Sequence, residues 1–250
     1  MTRYHLILEY DGSSYVGWQR QDNGLSIQEV LETAVEGFSR GPSSAVAAGR
    51  TDAGVHARAM SAHIDLDKDY TADVVRDAVN HHMRPHPIAV ISATQVTEEF
   101  HARFSATARH YEYRLVSRRA PLALNVSKVW RIPQPLDVIA MNVAAQCLVG
   151  QHDFTTFRAA QCQAKSPVKT LSSIRVLSDD DGIAVEVSAP SFLHHQVRSI
   201  VGSLVQVGLG RWTTGDFATA LTAQDRRACG PVAPPDGLYF IKADYPDGSS

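Results

Sequence analysis

At 250 residues the chain has room for one large domain or two of about 100 to 150 residues each. It is 44% hydrophobic and 20% charged, a globular balance that excludes a disordered chain. No apolar run nears the ~18 residues of a membrane span, and a net charge of −2 excludes a uniformly basic nucleic-acid binder.

Tyr4, Leu6, Leu8 and Tyr10 alternate as a strand that stops at Asp11-Gly12. Ser26-Ile27-Gln28-Glu29 has the form of a capping box. It starts a helix with Ile27, Val30, Leu31, Ala34, Val35 and Phe38 on one face, ended by Gly41-Pro42. Ala45 to Ala48 reads as a short buried strand, and a second strand is predicted from about Ala59 to Ile64. Thr71 opens a helix with Val74, Val75, Ala78 and Val79 inward, stopped by Pro85 and Pro87. Ile88 to Val96 returns as a strand. This β-α-β-β-α-β order is that of ferredoxin-like units.

The order recurs in the second half. Tyr111 to Val116 is strand-like. Leu136 to Val149 is helix-like, with Leu136, Ile139, Ala140, Val143 and Cys147 at helical spacing. Ser172–Leu177 and Ile183–Ala189 form a hairpin across Asp179-Asp180-Asp181-Gly182. Ser191 caps a helix to about Val207, a shorter helix lies near Thr214 to Ala223, and Leu238 to Ala243 is the last strand. The expected fold is α+β. Two ferredoxin-like halves, residues 1–104 and 105–250, carry antiparallel sheets, are related by a pseudo-two-fold and enclose an active-site cleft.

Charge is segregated along the chain. Residues 100–131 hold Arg103, Arg109, Arg114, Arg118, Arg119, Lys128 and Arg131 against Glu112 alone. Residues 154–178 add Arg158, Lys165, Lys169 and Arg175 with no acid. Such stretches make a local positive field that suits a polyanion. Cys147, Cys162 and Cys229 form no C-x-x-C pair and cannot all pair internally, which favours free buried thiols and a reducing cytoplasm. The first nine residues turn acidic too soon for a signal peptide. The eleven histidines show no zinc-ligand spacing, and no metal site is expected.

Gly49-Arg50-Thr51-Asp52-Ala53-Gly54-Val55-His56-Ala57 is the most informative string. It sets one carboxylate, Asp52, beside an arginine and between two glycines, where a strand runs out. Buried unpaired charge is a poor core element. The same residues present a reactive carboxylate at a sheet edge, where glycines permit sharp turns and close approach. Tyr111 opens the second half and can stack on a base or carry a proton. Arg198, like Arg50, could hold a carboxylate ionised. His194, four residues before Arg198, is expected on the same helix face.

These strings resemble the bacterial tRNA pseudouridine synthase A family over nearly the whole length. The resemblance rests on Tyr10-Asp11-Gly12, Tyr15-Val16-Gly17-Trp18-Gln19 and the Gly49–Ala57 string. It continues with Arg103-Phe104-Ser105-Ala106, Arg109-His110-Tyr111-Glu112-Tyr113 and His152-Asp153-Phe154. Phe192-Leu193-His194-His195-Gln196-Val197-Arg198 and Ala233-Pro234-Pro235-Asp236-Gly237-Leu238-Tyr239 complete it. Gln196 stands where the family often has Met, and Met60 where it often has Gln.

The resemblance implies conversion of uridine to pseudouridine at positions 38, 39 and 40 of the tRNA anticodon stem-loop, by a homodimer without metal or organic cofactor. It implies Asp52 as the catalytic carboxylate, Arg198 as its ion-pair partner and Tyr111 as the residue that meets the uracil and takes the C5 proton. Arg50 would fill space left by the displaced base. Arg20, Arg109, Arg158, Lys165, Lys169 and His194 complete the expected RNA-binding set. Two other classes compete. A non-catalytic RNA-binding protein of two ferredoxin-like units would leave the Asp52 string unexplained and lacks the paired-aromatic motif. A metal-dependent nucleic-acid enzyme would need clustered ligands, whereas the acidic clusters fall in turns.

Overall fold

The structure is a computed structural model, and it describes residues 1–246. The first elements are β1 (Thr2–Tyr10), α1 (Ile27–Ser39), β2 (Val46–Ala47), β3 (His56–Leu66), α2 (Ala72–His82) and β4 (Ile88–Val96). Then follow β5 (Ala108–Ser117), β6 (Trp130–Ile132), α3 (Val138–Ala145), β7 (Gly150–Asp153), β8 (Val168–Leu171), β9 (Ser173–Asp179) and β10 (Gly182–Ala189). The chain closes with α4 (Gln196–Gly208), α5 (Thr214–Thr222) and β11 (Leu238–Asp244). This is a mixed α and β protein in which antiparallel pairing dominates. Two compact units are present among the described residues, Met1–Arg109 with 239–246, and His110–Leu238.

In the first unit the strands lie in the order β4-β1-β3-β11, with β2 also on β3. Tyr4, Leu6, Leu8 and Tyr10 are all buried, as their alternation on β1 requires. Ser26 Oγ accepts the N–H of Glu29 and caps α1. Ile27, Val30, Leu31, Ala34 and Val35 are buried, and Phe38 packs on Tyr70 at 4.7 Å. The apolar face of α2 is narrower than expected. Val75 and Val79 are buried, whereas Val74 is exposed; the buried stripe runs through Met83 at four-residue steps, leaving Val74 a third of a turn away.

The unit boundaries differ from the expected 104/105 division. Arg109 donates to the carbonyls of Ala48 and Ala106 and so stays with the first unit. The last strand pairs in parallel with β3, Tyr239 against His56. Its ring stacks on His56 at 4.8 Å, and Tyr245 bonds to Ser61 and to the Ala102 carbonyl. These non-local partners draw β11 and Tyr245 to the first unit.

In the second unit the strand order is β5-β10-β9, with β6 parallel to β5 and β7-β8 a separate pair. Gly182 faces Asp179 across a two-residue loop, at a φ of 133°. The helix α3 is shorter than expected and turned. Met141, Ala144, Ala145 and Leu148 are buried, while Ile139 and Val143 are exposed. Both sets have helical spacing, and α3 meets β9, α4 and α5 through the first. A helix was also expected from Ser191, but α4 begins at Gln196 because His195 has a φ of 60°. Cys147, Cys162 and Cys229 are free and half-buried, less enclosed than expected.

Candidate active site

The Asp52 loop is held by residues from four sequence strings, all in the first unit. Asp52 is half-buried and bridges Gly17. The Val55 N–H donates to its carbonyl at 3.1 Å, closing a turn whose third residue, Gly54, has a φ of 79°. The Trp18 N–H donates to the Thr51 carbonyl, and Tyr10 and Thr51 join hydroxyls at 2.9 Å. A Cβ on Gly17 would lie 2.5 Å from the Thr51 carbonyl oxygen, and one on Gly12 would lie 1.9 Å from that of Val55. Both glycines are therefore dictated by the nearness of another backbone. The Gly12 N–H donates to Nδ1 of buried His56 at 3.1 Å, fixing the far end of the loop.

Arg109 secures the near end. Its Nε and Nη2 donate to the Ala48 carbonyl at 3.2 and 3.1 Å, four residues before Asp52. Its Nη1 donates to Ala106 and its Nη2 also to the Arg103 carbonyl. A guanidinium spread over three carbonyls acts as a spacer between chain segments. Arg50 is exposed beside the loop. Arg20 is exposed too, but lies 3.6 Å from Glu29 and 3.7 Å from Glu32, which offset much of its field.

In the second unit, Tyr111 is half-buried on β5, and its ring meets Phe192 edge-on at 5.2 Å and 86°. This edge-to-face pair fixes the tyrosine plane. Arg198 is half-buried on α4 and donates from Nε to the Ala233 carbonyl at 2.9 Å. In return, the Ala233 N–H donates to the Arg198 carbonyl. The segment can approach α4 because Gly202 has no Cβ, which would lie 1.7 Å from the Pro231 oxygen. The next carbonyl, Pro234, accepts the phenol of buried Tyr113 at 2.7 Å. Burial drives that phenol well above its ordinary range, against a smaller pull from Arg198. With Nε engaged, the guanidinium of Arg198 is oriented from one edge.

His194 is exposed and precedes α4, so it shares no helix face with Arg198. Gln196 begins the helix, and its Oε1 accepts the Leu193 N–H at 2.8 Å. Its Nε2 is buried without a partner, a cost of about 1–3 kcal/mol that a Met would avoid. Met60 is fully buried on β3 opposite Leu8. Arg158 and Lys169 are half-buried and Lys165 is exposed. Phe192 and the Ala233 carbonyl escaped the sequence reading as working parts. Their only signal there was membership of the two late strings.

The profile of a family described as tRNA pseudouridine synthase matches residues 6–105 and 144–246. The chain is similar to a "tRNA pseudouridine synthase A" of Maricaulis maris, 58% identical over 98% of this chain and 99% of that protein. It is similar to one of the same name from Rhodopseudomonas palustris, 59% identical over 98% of this chain and all of the relative. The chain belongs to the tRNA pseudouridine synthase family. Membership accounts for the two profile segments: the first holds the Asp52 loop and the second holds Arg198 and the Ala233–Tyr239 string. Tyr111 falls in the stretch between them. Among the described residues, no helix is long and apolar enough to cross a membrane.

Proposed function

We propose that this enzyme isomerises uridine to pseudouridine in tRNA, at positions 38, 39 and 40 of the anticodon stem-loop, with Asp52 as the catalytic carboxylate. The reaction is internally balanced. The N1–C1′ bond breaks, the uracil turns, C5 bonds to C1′, and the proton lost from C5 is matched by one gained at nitrogen. It needs no cofactor, oxidant or co-substrate.

A base in a helical stem must leave the stack before its glycosidic bond can be attacked. Tyr111 holds the extruded uracil by its face and accepts the C5 proton, and Phe192 fixes the plane of that ring. Arg198 supplies the cation that complements the reacting carboxylate. Arg50 fills the gap in the RNA stack, and the basic stretches take phosphates. On this reading Asp52, Tyr111 and Arg198 all serve the same reaction. The units are ferredoxin-like halves, in keeping with the β-α-β-β-α-β order of the first. The enzyme works in the cytoplasm as a homodimer.

The observation that carries the reading is the cradle of the Asp52 loop. Gly12, Gly17, Thr51 and Arg109 fix the backbone of the loop that carries the half-buried Asp52. Fixed placement of a reacting group is worth more than any single contact it makes. The test is to incubate the protein with an unmodified tRNA transcript, digest it and separate the nucleosides, mapping the product by carbodiimide adducts. Pseudouridine confined to positions 38–40 supports the proposal. Tight tRNA binding with no pseudouridine would replace it with the RNA-binding reading.

A further inference from the structure

Phe104, in the string Arg103-Phe104-Ser105-Ala106, has no part in the reaction above, yet the string builds a distinctive surface. Phe104 is 77% exposed. His101 stacks on its ring, with centroids 4.4 Å apart and planes at 30°. The guanidinium carbon of exposed Arg103 lies 5.6 Å from the same centroid. A single exposed apolar side chain is ordinary and needs no account. Three planar groups gathered in one turn are different when the turn is rigid.

This turn is rigid. The N–H groups of Arg103 and Phe104 both donate to His101 Nδ1 at 3.2 Å. The His101 N–H donates to Ser105 Oγ, and the Ser105 N–H returns a bond to the His101 carbonyl. Ala102 is fully buried beneath, with its N–H on His63 Nδ1 and its carbonyl accepting from Tyr245. These bonds hold the turn with the Phe104 ring turned outward. Residues 101–106 contain no acid and carry one cation, Arg103. The guanidinium of Arg109 spans the Arg103 and Ala48 carbonyls, so this turn sits one side chain away from the strand that leads into Asp52.

We propose that Phe104, flanked by His101 and Arg103, is a stacking platform for an unpaired tRNA base neighbouring the uridine that is isomerised. The ring takes the face of the base, and Arg103 stacks beyond it or meets its phosphate. The site rests on the isomerase reading for its substrate, and recognition through a π-face carries no demand for one base over another.

The test compares wild type with Phe104→Ala and Phe104→Trp, using an anticodon stem-loop with 2-aminopurine beside the target uridine. Binding is read by anisotropy, stacking by 2-aminopurine quenching, and turnover by pseudouridine formation. Phe104→Ala is expected to weaken binding by about tenfold or more, the value of one base-on-aromatic stack, and to lose the quenching. Its salt dependence is unchanged, its turnover at saturating RNA stays within a few-fold, and Phe104→Trp restores both signals. Equal affinity and quenching in wild type and Phe104→Ala overturn the platform. So does a Phe104→Ala protein that sediments as a smaller species while binding RNA normally, which assigns the ring to a second copy of the chain. A wild type that quenches and binds but makes no pseudouridine overturns the isomerase reading and leaves the platform standing.

Discussion

Gly17→Ala tests the claim that the Asp52 loop is held in place by backbone proximity. Gly17 has a φ of 111°, and an added Cβ would lie 2.5 Å from the Thr51 carbonyl oxygen and 3.0 Å from the Asp52 carbonyl carbon. Positive φ at a residue with a side chain costs about 1–2 kcal/mol. Forcing a methyl group into a packed site costs roughly 1–3 kcal/mol more. The loop cannot yield cheaply, because the Thr51 carbonyl is bonded to Trp18 and its hydroxyl to Tyr10. The expected loss is therefore about 2–5 kcal/mol if the loop stays, by the sum of those two ranges. If the loop moves instead, stability recovers and turnover falls, since a displacement near 1 Å can cost about a hundredfold in rate. Gly210→Ala is the control, for it has a φ of 68° and nothing within 4 Å of its added Cβ. It should show the conformational cost alone. Urea unfolding and single-turnover pseudouridine formation on both variants give the answer. A Gly17→Ala protein matching Gly210→Ala in stability and wild type in rate would refute the reasoning.

Three further outcomes follow from the same geometry. Tyr111→Phe keeps the ring against Phe192 and loses the hydroxyl; turnover should fall by about a hundredfold or more with tRNA affinity retained, and near-normal single-turnover rates would reduce Tyr111 to a stacking surface. Arg198→Lys keeps the charge but loses the planar fork and its bond to the Ala233 carbonyl, so it should lower the rate more than it lowers tRNA affinity or the urea midpoint; equal losses in all three would make Arg198 merely structural. Burial holds His5 down to about 4, and burial together with nearby Arg3 and His101 does the same for His63; between pH 6.5 and 4 the unfolded chain binds protons that the folded chain refuses, so stability should fall with pH across that window, by up to about 1.4 kcal/mol per unit per histidine, and a flat urea midpoint there would contradict it.

Strong local patterns were legible in the sequence. The strand β1 and the helix α1 announced themselves because their apolar residues fall on one face with clean stops. The helix α3 did not, because Leu136 to Val149 is apolar on nearly every side and offers two stripes of equal spacing. Packing on β9 chose Met141, Ala144, Ala145 and Leu148. The start of α4 was misplaced because Phe192 and Leu193 continue the helical spacing through a turn where His195 is left-handed. The partner of β11 was invisible, since Tyr239 and His56 are far apart in the chain. The short strands β6, β7 and β8 carry too few residues to show a period.

The candidate site was legible for a different reason. Asp52 stands out as a carboxylate among glycines, and the strings around Gly12 and Gly17 proved to be its support. What could not be read was the role of backbone atoms. The carbonyls of Ala48, Ala233 and Pro234 hold Arg109, Arg198 and Tyr113, and a carbonyl is the same at every residue. The guanidinium of Arg109 is spread over Ala48, Arg103 and Ala106, a structural role that its charge alone did not announce. His194 was expected to share a helix face with Arg198, a spacing rule that applies only inside a helix, and α4 begins at Gln196.

The most direct test of the central claim is tritium release from tRNA labelled at C5 of uridine, comparing wild type with Asp52→Asn in the presence of EDTA. Asn keeps the shape of the loop and removes the charge. Wild type is expected to release tritium in step with pseudouridine formation, and Asp52→Asn to release none while binding tRNA within a few-fold of wild type. Release by Asp52→Asn at ordinary enzyme concentration, or loss of release from wild type in EDTA, would contradict the account.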